Sequence, residues 1–423
     1  MRLVFVLPSY EPSWEFGGIV TSMSTLCRGL VGHGVDVTVY TTNVSASGRP
    51  LEVPLDRPVE LGGVHVWYFE ATYGPGGSFY SRDLIKNLGW TAAGFDAVYV
   101  SATWQWSGLE CVRACRDASV PMIVGTHGSF SAELSADAAV KDMLYRELFF
   151  RKALRGASAV HLTAHSEGAV AGSWFEGMRT FVVPNAADPW RFRPIADARE
   201  GFRAMHGIPM GAPVVISVGH RNWMRRNDLV IRAIAETDDW WYVMAGPDTG
   251  EKAQEWGALA RELEVDDRFV QTGFLDFEPL AEALSAADIF ALVSDYENFG
   301  TAAVEGMMCG LPVMLSSEVG LCENICGEDF AFTVEKTDEA ITRRLSRFLS
   351  HGIGRYDIRD GARRFAVERF SPYAVAKCFI AEVEKVLGAR RAHMHRAHTA
   401  DVMDLNGMRL FRDSGHGKSA GEE

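Results

Sequence analysis

Two glutamates with seven residues between them are the first candidates for chemistry in this chain. They stand in SDYENFGTAAVEGMMCGLPV as Glu297 and Glu305. An apolar run ends at Ser294, a loop presents Glu297, and a helix is expected to start near Gly300 and Thr301. The free N–H groups and positive dipole end of such a helix would sit beside Asn298, Phe299, Gly300 and Thr301, a setting suited to phosphate. Glu305, in the second helical turn, can accept hydrogen bonds from a ribose diol. Glu297, ahead of the helix, can hold the hydroxyls of a sugar.

Those residues need a scaffold that brings strand ends and helix starts together. Leu3–Leu7 is expected as a buried strand, followed by a loop that ends in Gly17 and Gly18. Ile19, Val20, Met23, Leu26, Cys27 and Leu30 then recur at helical spacing, and Val35–Tyr40 alternates as a second strand. Strand, glycine loop, helix and strand make the βαβ unit of a doubly wound parallel sheet. Further strands are expected at Ala97–Val100, Met122–Val124, Ala159–Leu162 and Phe181–Val183. The alternation restarts with strands at Val214–Val218, Trp241–Ala245, Ile289–Val293 and Pro312–Ser316, and helices at Leu229–Ala235 and Thr301–Cys309. The expected organisation is a first Rossmann-like domain at 1–188, a polar, proline-punctuated linker at 189–210, and a second Rossmann-like domain at 211–369. A terminal helix at 370–388 and a tail at 389–423 complete it.

Composition narrows the class. The 423 residues are too many for one ordinary core. A hydrophobic content of 47% with 23% charged residues is that of a soluble globular protein. The net charge of -13 lies mostly in the second half and repels phosphate backbones, which argues against nucleic acid as a partner. Seven cysteines spread along the chain do not read as a disulfide framework. The opening apolar run stops at Pro8, too short for a signal peptide, and no run approaches the roughly 18 apolar residues of a membrane span. A reduced, cytoplasmic protein is expected. No two aspartates are separated by a single residue, so a D-x-D metal clasp is absent and no metal is expected. GHGKS near the end lacks the first glycine of a P-loop, since position 412 is Arg.

The Ser294–Val313 run resembles the signature of retaining glycosyltransferases of family 4, with Ser294, Glu297, Phe299-Gly300, Glu305 and Gly310-Leu311-Pro312-Val313 in order. The resemblance implies the GT-B fold, two Rossmann-like domains facing across a cleft. It also implies transfer of a sugar from a nucleoside-diphosphate sugar to an acceptor hydroxyl with retention of anomeric configuration. Under it, Glu297 contacts the donor sugar and Glu305 the nucleotide ribose. Gly17 and Gly18 approach the donor phosphate with bare backbone, and His127, in GTHG, lies near the reacting sugar. In SVGHRNWMRRNDLVIRA, His220 stands where the family has Arg, and Arg225 and Arg226 stand where it has Lys-Gly. Arg221 and Arg226, then Arg225, are therefore expected to neutralise the leaving diphosphate. VPNAAD carries Ala186 where the family has Gly.

Lipid-linked acceptors are common in the family, and glycan, glycolipid or polysaccharide synthesis at the inner face of the membrane is the implied setting. Arg146, Arg151, Lys152 and Arg155 with neighbouring apolar residues form a basic helix able to touch anionic lipid, although a solvated face explains it as well. Trp104 and Trp106 follow a strand where an acceptor could stack, and core packing explains them equally well. Two alternatives remain at this level, a nucleotide-sugar epimerase of the same fold and a non-catalytic nucleotide-sugar-binding protein.

Overall fold

The computed structural model describes residues 1–46, 48–73, 79–101, 106–129, 154–219, 224–246, 251–350 and 356–389. Two sheets dominate it. The first runs in the order β10-β9-β8-β7-β1-β2-β4-β3. Its strands are β1 (Arg2–Val6), β2 (Asp36–Thr42), β3 (Val59–Leu61), β4 (Val64–Phe69), β7 (Ala97–Ser101), β8 (Met122–Gly125), β9 (Ala159–Leu162) and β10 (Thr180–Val182). Only β3 and β4 pair antiparallel. A separate small hairpin joins β5 (Thr72–Tyr73) to β6 (Phe79–Tyr80).

The second sheet, β13-β12-β11-β14-β15-β16, is parallel throughout. It comprises β11 (Val214–Val218), β12 (Trp241–Ala245), β13 (Phe269–Gly273), β14 (Ile289–Leu292), β15 (Val313–Ser316) and β16 (Ala331–Val334). Chain order reverses beside β1 in one sheet and beside β11 in the other, and ligand crevices open at such reversals.

Alternating side chains of each central strand enter opposite cores. Leu3 and Phe5 meet Met23, Leu26 and Leu30 on one face, while Val4 and Val6 meet Leu84, Leu88 and Cys111 on the other. In the second sheet Ile216 joins Phe290 and Met307, and Val215 joins Ile234 and Trp240. Burial on both faces is why these strands read as continuous apolar runs. β13 escaped that reading because it is only half-buried along its whole length.

The segment 189–210 differs from a polar connector. It contains the Ala198–Met205 helix, and Phe192, Phe202 and Ile208 belong to the second core. Arg203 on that helix is fully buried, bonded to Asp288 at 3.0 Å and to the carbonyls of Ala286 and Ala212. Residues 372–389 form a helix whose Val375, Ala376, Phe379, Val383 and Val386 complete the core of the first half. Gly29 admits this helix, since a Cβ there would lie 2.1 Å from the Pro372 oxygen. Among the described residues no helix is long and apolar enough to cross a membrane.

Candidate active site

Residues that follow the C-terminal ends of both sheets' strands enclose a cleft of about 420 Å³, within the range of small-molecule sites. The loop after β14 forms its floor. Ser294 is buried, with Oγ 2.9 Å from Met224 O and 2.7 Å from Tyr296 O. Glu297 N–H donates to Glu318 O, Glu297 O accepts from Gly320 N–H, and Phe299 O accepts from Leu321 N–H. This lacing holds the loop from both sides. Gly300 then takes φ 95° as N-cap of the Thr301–Met308 helix. A Cβ there would lie 2.9 Å from Val319 Cγ1, so position and conformation both require glycine. Thr301 and Ala302, whose amides head the helix, line the cleft.

Two carboxylates and one arginine share this wall. Glu297 pairs with Arg225 at 2.6 Å, both largely buried. A β-bridge from Arg225 to Ser294 sets that approach. Glu305 lines the cleft one helical turn further on, and burial pushes its carboxyl from 4.5 up to about 8. Arg226 behaves differently from its neighbour. Its guanidinium bonds Asp228 at 3.0 and 3.1 Å and reaches Asp295 at 3.7 Å, and it does not line the cleft. The expectation that ranked Arg226 ahead of Arg225 is therefore reversed in placement, because local carboxylates hold Arg226. His220 and Arg221 lie outside the described residues, as do Trp104, Arg146, Arg151, Lys152 and the tail from 390.

Phe299 is also absent from the cleft wall. It is 1% exposed and packs edge-on against Phe370, so only its backbone serves the loop. Gly219 and Gly246 end β11 and β12 so closely that a Cβ at Gly246 would meet Gly219 O at 2.0 Å. The sequence reading missed a further wall, Phe274, Leu275, Phe277 and Leu280 with Asp276, which follows β13. Recognising β13 would have exposed it, since residues just past a parallel strand are the ones that face a ligand.

The first half supplies the opposite wall. Gly17 (φ 75°, ψ −144°) and Gly18 line the cleft with Trp14, Glu15 and Thr21. His127 follows β8 at φ 43°, unusual for a non-glycine residue. Desolvation holds its imidazole down at about 3, so the ring is neutral at physiological pH. Several contacts clamp the halves together. Within the first half, buried Glu167 accepts from Gly128 N–H (2.7 Å) and Thr163 N–H (2.9 Å), which fixes it where Asn298 of the second half approaches. With its amide nitrogen facing Glu167 (3.2 Å), Asn298 accepts from Thr163 Oγ1 (2.6 Å). Glu323 caps the His165–Ala171 helix through His165 N–H and Ser166 N–H. Asn185 Nδ2 donates to Thr301 Oγ1 at 3.1 Å. Arg191 lies over both the Trp14 and Phe277 rings, at 4.9 and 4.2 Å. The structure thus gathers Gly17, Gly18, His127, Arg225, Glu297, Asn298, Thr301 and Glu305 around one cavity.

Comparison with known proteins agrees with this architecture. Residues 17–186 match the family described as glycosyl transferase 4-like domain. Residues 198–365 match glycosyl transferases group 1. The 2-deoxystreptamine glucosyltransferase of Streptomyces kanamyceticus is 27% identical over 297 residues, which cover 68% of this chain and 76% of that protein. Among solved structures, sucrose-phosphate synthase from Thermosynechococcus elongatus superposes with a TM-score of 0.71 at 20% identity, covering 92% of this chain and 99% of that one. The Anabaena protein HepE, solved with UDP and glucose, superposes with a TM-score of 0.69 at 17% identity, covering 91% and 100%.

Proposed function

This chain belongs to the glycosyltransferases of group 1 with a 4-like first domain, and we propose that it moves a sugar from a nucleoside diphosphate to an acceptor hydroxyl with retention of anomeric configuration. The observation that carries the reading is the joint placement of Arg225, Glu297, Glu305 and the head of the Thr301–Met308 helix on one wall of the cleft. The diphosphate lies against the helix amides and Arg225, where negative charge accumulates as the bond breaks. Glu305 holds the ribose, and the Phe274–Leu280 wall covers the base. Glu297 and His127 hold the sugar, with Glu297 tethered by Arg225 and serving to orient rather than to form a covalent bond.

In the transfer step the bond from the anomeric carbon to the diphosphate oxygen breaks, and its electron pair leaves with the diphosphate. The acceptor oxygen bonds the anomeric carbon on the face just vacated. Its proton passes to the departing diphosphate. On this reading the arginine and helix dipole supply the positive charge, so no metal is required. One ligand precedent and one name support a nucleotide-sugar donor, since HepE was solved with UDP and glucose and the Streptomyces relative is named a glucosyltransferase. Glycan, glycolipid or polysaccharide assembly in the cytoplasm, with a soluble or lipid-linked acceptor, is the setting this chemistry fits.

The test measures transfer from a panel of UDP-, GDP- and ADP-sugars, with the anomeric configuration of the product read by NMR. Glu297→Ala should abolish turnover while nucleotide binding persists, and Glu305→Ala should chiefly weaken nucleotide binding. Unchanged transfer in both variants, or an inverted product, overturns the reading.

A further inference from the structure

The mechanism above gives no part to the buried residues beneath His127. Beneath the cleft, Tyr99 Oη lies 2.9 Å from His127 Nε2 and 2.9 Å from His161 Nδ1. His161 Nε2 lies 2.8 Å from Val183 O. Tyr99 and His161 are 2% and 1% exposed. The His127 ring lines the cleft, and its buried Nδ1 has no hydrogen-bond partner among the described residues.

We infer that Tyr99 and His161 are positioning residues that fix His127 as its Nε2–H tautomer and leave Nδ1 a bare acceptor for a ligand hydroxyl. This rests on the reading that the donor sugar lies beside His127. The assignment follows from what each atom can do. A carbonyl only accepts, so His161 Nε2 must donate to Val183 O. A neutral His161 then has a bare Nδ1, which must receive the Tyr99 proton. With that proton given, Tyr99 Oη can only accept, so His127 Nε2 must donate to it. A neutral His127 is left with a lone pair on Nδ1.

The reverse arrangement has His161 donating from both nitrogens. It would bury an imidazolium with no carboxylate bonded to it, a costly state. Burial in fact holds the His161 imidazole down at about 4.

Packing shows that the relay is built in. A Cβ on Gly125 would stand 1.8 Å from Tyr99 Oη and 2.9 Å from His127 Nε2, so this strand end is glycine to make room for the bridge. Phe181 stacks on His161 at 5.3 Å, and Phe379 from the 372–389 helix packs edge-on against both His161 and Tyr99. The chemical consequence is selective. A bare Nδ1 attracts a hydroxyl or N–H donor and repels phosphate and carbonyl oxygens. His127 therefore serves a sugar hydroxyl and neither neutralises the diphosphate nor protonates it.

Histidine-selective ¹⁵N NMR of the full-length protein at neutral pH reads the tautomer directly, with His127→Gln identifying the signal. The expected result is an Nε2–H, Nδ1-bare ring for His127 in the wild type and a mixture of tautomers in Tyr99→Phe. An Nδ1–H or imidazolium signal in the wild type overturns the proposal, whatever the variants do. Kinetics supply a second readout. Tyr99→Phe should lower kcat/KM for the nucleotide sugar about tenfold, the worth of roughly one hydrogen bond, while the affinity for the nucleoside diphosphate alone is unchanged. Across monodeoxy donor sugars, one deoxygenation that impairs the wild type should cost Tyr99→Phe nothing more. An equal loss of nucleoside-diphosphate affinity would mean a merely structural role and overturn the proposal. Wild-type transfer by His127→Ala would instead remove the donor-site reading, while the NMR assignment stands or falls separately.

Discussion

Replacing Glu305 with glutamine tests how the cleft uses a buried carboxyl. The side chain is 8% exposed, and no cation pairs with it among the described residues. Its rise from 4.5 to about 8 means that the unfolded chain ionises this group several pH units before the folded one. Below pH 4.5 both states are protonated and the group contributes nothing pH-dependent. As pH climbs toward 8 the unfolded state alone loses the proton, so folding stability falls across that window. At about 1.36 kcal/mol per pH unit the full effect approaches roughly 5 kcal/mol, and water entering the cleft reduces it toward about 2. Glu305→Gln keeps the shape and removes the ionisation. Urea unfolding followed from about pH 5 to about pH 9 should show wild-type stability declining relative to the variant by that amount. Parallel profiles would refute the reasoning. Ribose hydroxyls donating to the ionised carboxylate would expel its proton, so nucleotide binding at neutral pH should release close to one proton. Calorimetry in buffers of different ionisation enthalpy measures it, and Glu305→Gln should release none from this site.

Arg225→Ala should lower kcat about 100- to 1000-fold, as loss of a charge-stabilising donor does. Arg226→Ala should leave transfer near wild type and cost under about 1 kcal/mol, because its pairs with Asp228 and Asp295 are partly solvated; equal losses in steady-state assays would contradict the assignment. Gly300→Ala should cost about 2 kcal/mol or more through its φ of 95° and the Val319 contact, read as a lower melting temperature. Asp288→Ala strands fully buried Arg203 and should cost about 3–5 kcal/mol in denaturant titration.

Much of the architecture was legible in the chain, because a strand buried on both faces must be written as an uninterrupted apolar run. Val214–Val218, Trp241–Ala245 and Ala159–Leu162 were located to the residue. Edge strands such as β16, only half-buried, left no such record. The helix start at Thr301, beside the glutamates of the β14 loop, was equally legible. Adjacent residues with identical side chains are another matter. Arg225 and Arg226 cannot be ranked from sequence, because what separates them is a bridge to Ser294 and the pull of Asp228 and Asp295. The Phe202 and Phe192 anchors of the 189–210 segment were hidden among polar neighbours. They became core only when the second sheet was built beside them.

The Tyr99, His127 and His161 relay spans 62 residues of chain and carries no local spacing. Sequence therefore named candidate residues and the kind of element on which each stands, because periodicity and turn demands are local. Tertiary structure alone decided which of them face one another and which protons they hold. Those depend on partners, and partners are chosen by packing.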